Sequence, residues 1–136
     1  MSTNIPSEAQ YEAREIAQAQ REMAEVEHAP LRDRQYAAKE FYEAMRDDPA
    51  KVAERIGWIF DGNYGKGHYL MARRILASPR MNRAAALTNI AAAADWRCPQ
   101  RMVAAAWKKL TGPQKAMLDA AIQVVITAAE KEMKEE

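Results

Sequence analysis

Cysteine occurs once, at Cys98, so no disulfide can close within the chain and no cysteine-rich metal cluster can form. His28 and His68 lie in different regions, which leaves no metal-ligand spacing and implies neither a metal nor a cofactor. No apolar run approaches the roughly 18 residues that cross a bilayer, and no positively charged leader with an apolar centre precedes the first helix-like segment. A soluble protein of the reducing cytoplasm, with no membrane partner, is the expectation. Phenylalanine occurs twice and threonine is scarce, whereas Ala, Met, Glu, Gln, Lys and Arg dominate; that balance favours helix and predicts no sheet.

Punctuation by proline, glycine and capping residues divides the chain. Ser7 with Gln10 forms a capping-box start, and the helix after it runs to about His28. Beyond Tyr11 its only large aliphatics are Ile16, Met23 and Val26. So thin a stripe predicts an acidic arm, residues 1–29, that docks on a partner or stays solvated.

Residues 30–136 then read as one domain, a compact bundle of five or six helices. Leu31, Ala38, Phe41, Tyr42 and Met45 mark a helix ending at Asp47. Asp48 caps the next, with Pro49 in its first turn and Val52, Ala53, Ile56, Ile59 and Phe60 on its buried face. A short helix spans about His68 to Ala77, and another starts at Ser78-Pro79 or Asn82. Pro99 opens a helix with Met102, Val103, Ala106, Trp107 and Leu110 inward. Gly112 fits a left-handed stop, and the last helix begins at Pro113.

The net charge is +1, but it is sorted along the chain. Residues 1–61 hold 13 acidic and 8 basic side chains, residues 62–118 hold 1 and 10, and residues 119–136 hold 5 and 2. A segment of net +9 between acidic ends points to a polyanion partner. Acidic ends folded back over a basic middle would neutralise the same charge internally.

Two constellations carry the expected chemistry. The stretch DGNYGKGHY, residues 61–69, holds Gly62, Gly65 and Gly67. It fails as a phosphate-binding P-loop, because His68 and Tyr69 stand where Lys and Ser/Thr are needed and no strand precedes it. Tight turning between helices accounts for the glycines, and Lys66 fits packing least well. The helix pair from about Asn82 to Leu110, joined through DWRCP, has the length of a helix-turn-helix. On its second helix Gln100, Arg101, Ala104, Ala105 and Lys108 lie opposite the apolar face.

The leading expectation is a small, non-enzymatic accessory protein that engages nucleic acid or a nucleoprotein through Lys66, Arg73, Arg74, Arg80, Arg83, Arg97, Gln100, Arg101 and Lys108. The alternative is a protein-binding inhibitor or adaptor of phage or plasmid type. It would act through the N-terminal helix and its Tyr11, Ile16 and Met23, which could equally hold a homo-oligomer. A remote third reading is an enzyme built on Cys98, whose thiolate a helix N-terminus beside Arg97 would stabilise, or on His68. Asp61 and Asp95 are expected to be ion-pair partners.

Overall fold

The computed structural model describes residues 7–80 and 82–135, and among them every regular element is helical. Seven helices succeed one another: α1 (Glu8–Glu27), α2 (Leu31–Asp47), α3 (Pro49–Phe60), α4 (Lys66–Ala77), α5 (Arg83–Ala91), α6 (Gln100–Lys109) and α7 (Gly112–Glu135). The all-α bundle read from composition and periodicity is therefore the observed architecture.

Local chemistry sets the boundaries. The capping box at α1 is complete: the Gln10 backbone N–H donates to Ser7 Oγ at 3.2 Å and the Ser7 N–H to Gln10 Oε1 at 2.8 Å. Asp48 Oδ1 accepts from the Lys51 N–H at 3.3 Å, with Pro49 in the first turn of α3, where its missing donor costs nothing. Asn82 Oδ1 caps α5 through the Ala85 N–H at 3.1 Å. Gly112 is the one stop signal that works differently. Its φ is not left-handed; α6 ends on an extended Leu110, and Thr111 and Gln114 form a second capping box that starts α7.

The core is continuous. Phe41 and Met45 from α2, Ile56 and Ile59 from α3, Leu87 and Ile90 from α5, and Leu118, Ile122 and Ile126 from α7 are fully buried. Each such side chain contributes about 1.5–3 kcal/mol relative to exposure. α3 lies along α7, α2 along α6, and α1 along α4.

α5 does not end cleanly. Residues Ala92–Trp96 form a π-helical turn, and Arg97 comes next with φ of 49°, the left-handed conformation for which a helix-turn-helix would normally use glycine. The turn aims two side chains. Trp96 meets Phe41 edge-on, with ring centroids 4.7 Å apart, and Asp95 turns the other way to pair with Arg55 at 3.0 Å and to accept from the Tyr64 hydroxyl at 2.9 Å. Arg55 in turn lies over the Trp58 ring at 3.9 Å. Asp95 is thus an ion-pair partner, as expected. Asp61 is not; it is exposed at the end of α3 and makes no ion pair among the described residues.

Candidate nucleic-acid interface

The three glycines of the loop resolve into two structural roles. Gly62 and Gly65 adopt φ of +82° and +91°, which an L side chain rarely takes, and turn the chain from α3 into α4. Gly67, inside α4, packs directly against α1. A Cβ there would lie 3.1 Å from the Glu15 carbonyl carbon and 3.2 Å from Ala19 Cβ, and closer still to the Glu15 carbonyl oxygen. Ala19 and Met23 of α1 are buried, so the thin stripe is spent on α4 and on the core.

That docking changes what the nominated basic residues face. Lys66 is exposed in a recess shared with Glu15 and Glu22 of α1. Arg97 opens into another recess shared with Glu22 and Glu25. Arg83 pairs with Glu130 at 2.7 Å, and Arg73 donates from Nε to Met133 Sδ at 3.3 Å while its guanidinium sits 5.5 Å over Tyr69. Arg74 is exposed on the rim of a largely apolar recess between α1, α4 and α5. Gln100 reaches the same recess and donates from Nε2 to Met23 Sδ at 3.2 Å. Arg80 is exposed in the α4–α5 connection.

The outer face of α6 keeps the arrangement read from its sequence. Arg101, Ala104, Ala105 and Lys108 are all exposed, while Val103, Ala106 and Leu110 are buried beneath them. No acidic residue occurs in the helix, and among the described residues neither Arg101 nor Lys108 makes an ion pair. Two lysines not singled out in the sequence join them. Lys109 of α6 and Lys39 of α2 face a recess of about 310 Å³ lined also by Gln35, Ala38, Tyr42, Met102, Ala105 and Ala106, without a carboxylate. Glu43, one helical turn beyond Lys39, makes no ion pair with it among the described residues. Lys109 was legible as the neighbour of Lys108. Lys39 was not, because it belongs to the acidic half of the sequence and only the packing of α2 on α6 brings it across.

The protein-contact residues of α1 separate. Tyr11 is 46% exposed, Ile16 is half-buried and Met23 is 8% exposed within the core. The groups behind the enzyme reading are placed differently from that expectation. Cys98 is fully buried, and burial pushes its thiol up to about 12, the reverse of an activated thiolate. His68 is also buried, with Nδ1 3.0 Å from the Tyr64 carbonyl oxygen, and His28 is exposed. No group of three or more metal-ligating side chains occurs among the described residues, and none of their helices is long and apolar enough to cross a membrane.

No protein-family model, curated protein or solved structure matches the chain.

Proposed function

We propose that the protein is a small nucleic-acid-binding accessory protein that acts by binding rather than catalysis and holds the phosphate backbone with α6 and the adjoining edge of α2. The observation that carries this reading is the α6 face. Arg101, Lys108 and Lys109 project from a helix without carboxylates, and Lys39 adds a fourth cation across a recess that also lacks them. Cations in such surroundings gain more from a phosphate than cations already beside glutamate, as Lys66 and Arg97 are. The alanines between Arg101 and Lys108 have no bulk to hold a backbone away. Contacts of this kind position a nucleic acid and carry little sequence information.

Four neutralised phosphates give a slope of log affinity against log salt of about −3.6 for duplex DNA and about −2.8 for a single strand. Arg101→Ala reduces the duplex slope to about −2.7, and Lys108→Ala acts alike. Fluorescence-anisotropy titrations at several salt concentrations read both. Absence of binding at low ionic strength, where electrostatic attraction is strongest, refutes the reading and turns attention to a protein partner at the Tyr11 end of α1.

A further inference from the structure

The same surface is more than a row of charges, because the recess between α2 and α6 is lined largely by apolar side chains. We propose that this recess accepts one unpaired base of a single-stranded nucleic acid, its flanking phosphates held by Lys39 and Lys109; the proposal rests on the nucleic-acid reading above. At about 310 Å³ the recess is at the small end of ligand-sized clefts. Its apolar lining is Ala38, Ala105 and Ala106 with the half-buried Tyr42 and Met102.

A ring and a polarizable sulfur are surfaces on which a flat heteroaromatic group gains by stacking and by sulfur–π contact. Gln35 supplies an amide at the rim that can both donate to and accept from a base edge. Both charged groups in the lining are cationic, which selects an anionic backbone over a neutral or cationic ligand. A base inside a duplex is stacked on both faces and cannot enter; an unpaired base can. Tyr36, three residues before Lys39 and so its neighbour on the helix surface, is 70% exposed and offers a platform for the next base.

The test compares a labelled twelve-residue oligothymidylate with a duplex of the same length, using the full chain. Ala38→Leu fills the recess from the α2 side without altering charge, at a half-buried helical position away from the outer face of α6. It should weaken oligothymidylate binding about tenfold and leave duplex binding unchanged. Tyr36→Ala, at a solvent-exposed site, should weaken the single strand several-fold and likewise spare the duplex. Far-UV circular dichroism and thermal melting confirm that both variants are folded. Duplex bound as tightly as the single strand, or oligothymidylate affinity unmoved by both substitutions, overturns the base-recess proposal while leaving backbone binding intact. Failure of the unaltered protein to bind either probe at low salt overturns the nucleic-acid reading itself.

Discussion

Gly67→Ala tests how α1 is held. The substitution adds one methyl group where α1 crosses α4, and the atoms it meets are the Glu15 carbonyl group and Ala19 Cβ. Two of the three belong to backbone, which cannot turn aside as a flexible side chain can. Overpacking of this kind costs about 1–3 kcal/mol. Opposing it, alanine is favoured over glycine in a helix by at most about 1 kcal/mol, and less in a first turn. If α1 stood away from α4, only the second effect would operate and the variant would be stabilised. With α1 docked, the net is a loss of up to about 2 kcal/mol, relieved by α1 lifting off while the core of α2, α3, α5 and α7 persists. Arg14 and Arg21 lie on α1, so limited trypsinolysis reports its opening directly. Cleavage there should accelerate about 5- to 30-fold for a 1–2 kcal/mol loss, while the rest of the chain keeps its protection. Slower cleavage with a raised melting temperature would show that α1 does not rest on Gly67.

Two further predictions concern buried groups. The Cys98 thiol, ordinarily near 9.0, is pushed up to about 12 by burial, and Tyr64, ordinarily near 10.0, is pushed up to about 12 by burial and by its bond to Asp95. Both are held neutral in the fold while the unfolded chain releases its protons first, so stability should fall from about pH 9 toward pH 12. Urea denaturation across that range should show the decline, with Cys98→Ala flattening its lower part; a flat profile between about pH 9 and 11 would contradict it. Thr88 is fully buried in α5 and its hydroxyl has no hydrogen-bond partner among the described residues. Thr88→Val, of the same shape, should raise stability by about 1 kcal/mol, and a loss in chemical denaturation would mean that the hydroxyl is satisfied after all.

The helices were legible because each boundary has a local cause. Ser7, Asp48 and Asn82 cap α1, α3 and α5, and Pro49 marks a first turn. Gly112 misled because glycine before proline fits a helix stop, whereas the capping pair Thr111–Gln114 made it a helix start instead. The π-turn at Ala92–Trp96 left no mark in a run of alanines, since its cause is tertiary: Trp96 must reach Phe41 while Asp95 reaches Arg55 and Tyr64. On α6 the exposed set came from periodicity. The groove beside it required knowing that α2 is the neighbour.

Charge sorting along a sequence becomes a surface only through packing, and here packing divides the basic segment. α1 lays Glu15, Glu22 and Glu25 beside Lys66 and Arg97, and α7 returns Glu130 to Arg83. The acidic ends therefore neutralise part of the middle, as one of the two readings of the charge pattern required. None of their carboxylates forms an ion pair with α6 among the described residues. Its outward cations have no carboxylate on their own helix, and the recess that α6 shares with α2 has none either. The two readings of the charge pattern are thus not exclusive, since internal pairing covers one stretch of the segment and leaves the α6 cations without an ion pair among the described residues. A polyanion that binds at α6 would still meet the glutamates of α1 if it extended toward Lys66, and like-charge repulsion there confines its footprint to the α2–α6 side.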